Sequence, residues 1–248
     1  MPNRKLGRKP VDPKRYAQVP HIMSYAADAA PALVADSCDY RQRMLSAGGA
    51  LGNDRYGCCG FAGFGHLKQS ICANLGIPSN VDTDIVLRWY SECTGFKPSD
   101  PSTDGGVYLI DALRYFMSQG LIVGYGRVDV GNPAAVARAL ELFGGLYMGF
   151  GLPIAWQSTD VWDAGPSVTG SWKPWSWGGH CVSAHTYDAE TDGQIVTWGS
   201  WVTGTAAGRE VYCDEAYALI LPEWLDGKGK TLQGFDLDAL RVQLELVD

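Results

Sequence analysis

One segment constrains this chain more than any other: CGFAGFGHLKQSICANL, residues Cys59–Leu75. It is apolar, rich in small residues and free of proline, and it ends at Gly76, a residue suited to the left-handed stop of a helix. It therefore reads as a helix. Its glycines Gly60, Gly63 and Gly65 each cost up to about 1 kcal/mol of helix propensity relative to Ala. A helix that keeps three of them must be approached closely from outside, and tight packing against a sheet would do that. The chain is large enough to surround such a helix, with 248 residues, 46% hydrophobic and 19% charged.

The pattern on either side of this helix divides the chain. Residues 1–57 hold several prolines and little periodicity, so an extended arm and wrapping loops are expected. Further helices are expected at 83–94 (Asp82 cap, Gly95 stop), at 107–119 after Asp104-Gly105-Gly106, and at 133–143 after Asn132 and Pro133. Beyond residue 145 short apolar runs read as strands at 146–152, 181–188, 194–199 and 216–222. Turn formers at 188–193 suggest a hairpin, and the amphipathic stretch at about 235–246 a final helix. The expected fold class is α+β, built of two packed lobes. The expected organisation is an N-terminal arm over 1–50 and a single domain over 51–248, helical to about 145 and β-rich over about 146–222.

Charge and cysteine usage narrow the function classes. The net charge is −7, but residues 1–15 carry six basic side chains and one acid, which leaves the body near −12. An acidic body argues against broad nucleic-acid binding, while the basic arm could meet an acidic protein partner. No run is long and apolar enough for a membrane span, and the start lacks the pattern of a signal peptide, so a cytoplasmic location is expected. The seven cysteines form no regular framework and are expected to be reduced, and the vicinal Cys58-Cys59 suits neither zinc nor an ordinary disulfide. Neither a metal nor a cofactor is expected.

Cys59 stands at the start of the helix, where unsatisfied N–H groups and the dipole favour a thiolate, and combined with a histidine partner it should be the most reactive of the seven thiols. A buried structural cysteine, as Cys72 is expected to be, would fit a helix equally well. His180, in WGGHCVSAHTYD, leads into a strand of the β half. A cysteine on a helical lobe facing a histidine on a β lobe can form a thiolate–imidazolium pair.

The segments GNDRYGCCGFAGFGH, DGGVYLIDALRYF, WGGHCVSAHTYD and VTWGSW, in this order, resemble the papain-like cysteine peptidase superfamily, over about residues 50–202. Over nearly the whole chain the likeness is greatest to a branch of bacterial and bacteriophage proteins. The resemblance implies a two-lobed fold whose central helix carries Cys59 as nucleophile and whose antiparallel β lobe carries His180 as base. Asn53, six residues before Cys59, then matches an oxyanion-hole amide. Gly105 and Gly106 match glycines that let a peptide backbone approach. Trp198 would shield the pair from water, and Trp177 would join it at the substrate cleft. The implied activity is hydrolysis of an amide or peptide bond without a cofactor. A virion location would follow for a phage-encoded chain, with the arm meeting a virion or host protein.

The family's orienting Asn is replaced by Val196, which cannot bond an imidazole. Thr197 is the nearest polar candidate, but strand alternation turns it away from Val196, so it would reach His180 only through a bulge or a one-residue shift. A catalytically degenerate domain serving as a structural or binding component therefore stands as the alternative. His66 and His185 are expected to be structural, and Asp111 and Tyr115 to share a helix face. The tryptophans, Trp172 and Trp175 among them, could line the cleft or fill the space between lobes.

Overall fold

A computed structural model describes residues 4–22, 37–44, 47–188 and 193–225. In chain order the elements are α1 Pro13–Gln18, β1 Ser37–Asp39, α2 Cys59–Leu75, α3 Thr83–Thr94, α4 Leu109–Ser118, β2 Gly124–Arg127 and α5 Pro133–Phe143. They continue with β3 Leu146–Leu152, β4 Val161–Trp162, β5 Gly178–Ala184, β6 Thr186–Asp188, β7 Gly193–Thr197, β8 Ser200–Gly204, α6 Ala206–Tyr212 and β9 Cys213–Ile220. A seven-stranded sheet runs β2-β9-β3-β5-β7-β8-β4, antiparallel except for the β4–β8 edge pair, and β1 pairs separately with β6.

The central strands are covered on both faces, so nearly every residue of β3, β5 and β9 is buried. Tyr147 and Cys181 join the core formed with α2, α3 and α4. Their neighbours Met148 and Val182 join the second core with α5. The α2 glycines work as their propensity cost requires. A Cβ at Gly63 would lie 3.3 Å from Cys181 Sγ in β5, and one at Gly60 2.9 Å from Val107. The Tyr147 hydroxyl donates to the Gly60 carbonyl at 2.8 Å. Gly65 departs from the sheet-packing expectation: its Cβ would meet Leu51 and Val81, which belong to connecting segments.

Several expectations change. The strand expected at 181–188 begins earlier and breaks at His185 into β5 and β6. The strand expected at 194–199 stops at Thr197, because Trp198 and Gly199 both have positive φ and form the two-residue turn into β8. Helix α1 lies in the stretch expected to be extended, and Asp12 caps it by accepting from the N–H groups of Lys14 and Arg15. The C-terminal helix expected at about 235–246 lies outside the described residues. Among the described residues no helix is long and apolar enough to cross a membrane.

Candidate active site

Cys59 opens α2, and its N-terminal neighbour Cys58 supplies no side-chain cap. The backbone N–H groups of Cys181 and Gly7 act on the Cys59 thiol, so it lies against the residue next to His180. Burial is complete, however, and it dominates. The thiol is pushed up to about 11 despite those N–H groups and the nearby Arg8 charge. Burial therefore opposes, in this form of the chain, the thiolate that the helix start favours. His180 is also buried and is pushed down to about 3, by desolvation first and then by the charges of Arg4 and Arg8. With these shifts thiol and imidazole are both neutral at pH 7.

The imidazole is held by Thr197, whose Oγ1 lies 2.6 Å from His180 Nε2. Thr197, not Val196, takes the place beside the imidazole, and the β5–β7 pairing, with no bulge between its paired residues, sets it there. Ser183 pairs with Val196 and Ala184 with Ile195, which sets Thr197 across from Val182. Opposed residues share a face, as do residues two apart on one strand, so Thr197 and His180 lie on the same face. Val196 lies on the other. His180 Nδ1 is buried with no hydrogen-bond partner among the described residues. Trp198 stacks on the imidazole, with centroids 4.1 Å apart and planes 11° apart, and Trp177 stacks on Trp198 at 5.5 Å. Trp198 holds a left-handed backbone, φ 47°, which a bulky residue adopts only where its surroundings compel it.

Asn53 is 2% exposed and donates from Nδ2 to the Tyr56 carbonyl at 2.9 Å. An amide nitrogen has two hydrogens, so one remains to donate elsewhere. His66 bonds the Gly49 carbonyl at 2.8 Å and His185 bonds Ser183 at 2.7 Å. Asp111 pairs with Arg15, and the Tyr115 hydroxyl with Glu92.

The groove beside Cys59 is filled by the chain's own arm. Lys5 N donates to Asn53 O at 3.2 Å, Arg8 N to Gly179 O at 3.1 Å and Lys9 N to Val107 O at 2.9 Å, while Val107 N donates to Gly7 O at 2.8 Å. The bridge between Arg8 and Val107 is parallel. Such close threading requires glycine. A Cβ at Gly7 would overlap the Gly57 carbonyl, one at Gly106 (φ 66°) the Gly7 carbonyl, and one at Gly179 the Arg8 carbonyl. Gly105 has open space instead. Trp198 Nε1 donates to Lys5 O at 3.0 Å, fastening the arm over the histidine.

Sequence reasoning missed Gly7, Arg8, Asp214 and Glu215 and gave Trp175 no firm role. The readable signal was Asp214-Glu215 inside the otherwise apolar CDEAYALI strand, because buried carboxylates need a cation. All seven cysteines are unpaired. Among the described residues no cluster of His, Cys, Asp and Glu is arranged to hold a metal.

Comparison with solved structures shows a papain-like fold. The cysteine protease xylellain of Xylella fastidiosa superposes with a TM-score of 0.59 at 14% identity, over 88% of this chain and 97% of that one. A Carica candamarcensis cysteine protease in complex with E-64 gives 0.52 at 16%, over 76% and 99%. Procathepsin B S9 of Trypanosoma congolense gives 0.54 at 12%, over 94% and 85%. No protein-family model matches the sequence, and no curated protein is significantly similar to it.

Proposed function

We propose that the protein is a papain-like cysteine hydrolase that cleaves an amide or peptide bond through Cys59 and His180. The observation that carries this is the buried 2.6 Å bond between His180 Nε2 and Thr197 Oγ1, which orients the ring and leaves Nδ1 without a hydrogen-bond partner among the described residues, so that it can act as the base once the arm has left. In the proposed reaction Nε2–H donates to the hydroxyl and Nδ1 is the base. Cys59 Sγ attacks the substrate carbonyl while Nδ1 takes the thiol proton. The oxyanion is met by the Cys59 N–H and by the second hydrogen of Asn53 Nδ2. Collapse expels the amine, which takes the proton back from His180, and leaves an acyl-thioester. Water, deprotonated by the same nitrogen, then releases the carboxylate and restores the thiol. The arm must leave the groove before a substrate can enter.

The test uses the full chain carrying Gly7→Ala, whose Cβ would overlap the Gly57 carbonyl and so unseat the arm. This variant should hydrolyse fluorogenic peptides faster than the native chain, and adding Cys59→Ala or His180→Ala should abolish that turnover. Hydrolysis that survives Cys59→Ala would overturn the proposal.

The second reading, a silent papain-like module acting as a binding or structural component, for instance of a bacteriophage particle, draws on Val196 and on the burial of Cys59 and His180. The Thr197 bond weighs against the first point. In that reading the basic arm meets a virion or host partner, yet Arg4, Arg8 and Arg15 already pair with Asp160, Asp214 with Glu215, and Asp111 of this chain. An arm-displaced chain that folds but turns over no peptide would favour this second reading.

A further inference from the structure

The way the arm fits the groove indicates what else the groove can take. Arg8 leaves the arm backbone and enters a pocket beside β9, where its side chain is fully buried. Its Nε and one terminal nitrogen each lie 2.7 Å from Glu215 Oε1, and that terminal nitrogen also bonds Asp214. The guanidinium lies under the Trp175 ring, 5.0 Å from its centroid. The Tyr217 hydroxyl donates to Glu215 Oε2 at 2.7 Å. The other terminal nitrogen of Arg8 is buried without a hydrogen-bond partner among the described residues.

These walls lie outside the segment that carries Arg8, and Tyr217 packs edge-on against Tyr16 of α1 at 5.5 Å. Asp214, Glu215 and Tyr217 belong to β9, and Trp175 is anchored by its backbone N–H to Gly151 O at 3.1 Å. When the arm leaves, a pair of adjacent carboxylates stays behind facing an indole, having lost the guanidinium that covered Glu215. Such a pair is poorly solvated and calls for another cation. The planar fork of a guanidinium satisfies it and stacks on the indole, whereas the compact ammonium of lysine does neither as well. The pocket is close to the chemistry: Arg8 bonds Gly179, the residue before His180, and its neighbour Gly7 acts on the Cys59 thiol.

We infer that this pocket is the specificity site of the enzyme and that its substrates are peptides with an arginine near the cleaved bond, its guanidinium held by Glu215 and Asp214 where Arg8 now lies. The substrate class rests on the cysteine-hydrolase reading above. The pocket itself does not, because binding is measured without turnover.

Full-chain Arg8→Ala empties the pocket and keeps both carboxylates. Titrated calorimetrically with N-acetyl-arginine N-methylamide, it should bind about tenfold more tightly than with the lysine derivative, with no binding of the norleucine derivative, and adding Glu215→Gln should remove the binding. If Arg8→Ala does not fold, Gly7→Ala takes the same titrations. In Gly7→Ala, kcat/KM for an arginine peptide should exceed that for its leucine counterpart by about tenfold or more, a preference that Glu215→Gln should erase. Equal binding of the arginine and norleucine derivatives, or equal cleavage of both peptides, would overturn the inference and leave the hydrolase reading standing. Selective arginine binding with no turnover of any peptide would keep the pocket and overturn the reading on which the substrate class rests.

Discussion

Thr197 Oγ1 and His180 Nε2 meet at 2.6 Å beneath the indole of Trp198, which lies flat against the imidazole. A hydroxyl in this place holds the ring orientation, but it can donate as well as accept and brings no negative charge to stabilise an imidazolium. Thr197→Val, measured in the arm-displaced chain, should lower kcat by about 10- to 100-fold with little change in KM, and Thr197→Ser should retain most of the activity. Equal kcat for the valine and native residues would show that the hydroxyl does not position the base.

Thiol labelling should follow accessibility. Cys59 is buried with its thiol pushed up to about 11, whereas Cys93 is half-exposed and also pushed up to about 11, by burial first and then Asp111. Iodoacetamide at pH 7.5, with sites mapped by mass spectrometry, should modify Cys93 well before Cys59 in the native chain. Gly7→Ala should reverse that order. Rapid labelling of Cys59 in the native chain would mean that the arm does not cover it.

Acidification should destabilise the fold from just below neutrality. Burial holds His66 down to about 4, and His180 and His185 down to about 3. Below the unfolded value near 6.5 the unfolded chain therefore binds protons that the folded chain refuses, and stability falls with pH. The three together should cost roughly 3 to 4 kcal/mol between pH 7 and 5.5, read from urea midpoints. Asp214 and Glu215, raised chiefly by burial, act in the opposite sense once the pH nears their folded values. A flat profile across this window would contradict the neutral, buried state of the histidines.

The turn that presents Trp198 should tolerate little change. Gly199 has φ 77°, and a Cβ there would lie 2.7 Å from the Gly49 carbonyl carbon and 2.9 Å from Ala50 N. Gly199→Ala should cost about 1–3 kcal/mol in thermal or urea unfolding and shift Trp198 away from His180. An unaltered Tm would show that the Gly49–Ala50 segment yields without cost.

The sequence made the two halves legible because their signals are local. The caps at Asp82 and Asn132, the stops at Gly76, Gly95 and Gly144 and the apolar run 146–152 each lie within a few residues of the element they define. Cys59 and His180 were visible for the same reason, a helix start and a glycine-flanked strand entry. Helix α1 was passed over because its prolines mark a loop as readily as a helix start, although Asp12-Pro13 carried the cap signal. Thr197 was legible as the nearest polar candidate, but the face it takes was not, because the Ser183–Val196 pairing decides it. The arm in the groove was out of reach. Gly7, Gly57, Gly106 and Gly179 come together only in the tertiary fold, and nothing local to any one of them marks the others.

The central claim, that Cys59 and His180 form one chemical unit once the arm is displaced, is tested most directly by the pH dependence of Cys59 alkylation in Gly7→Ala, with and without His180→Ala. The account predicts an apparent thiol pKa well below the ordinary value near 8.5 when His180 is present, and a rise of at least about one unit when it is removed. Superimposable profiles in the two variants would contradict it.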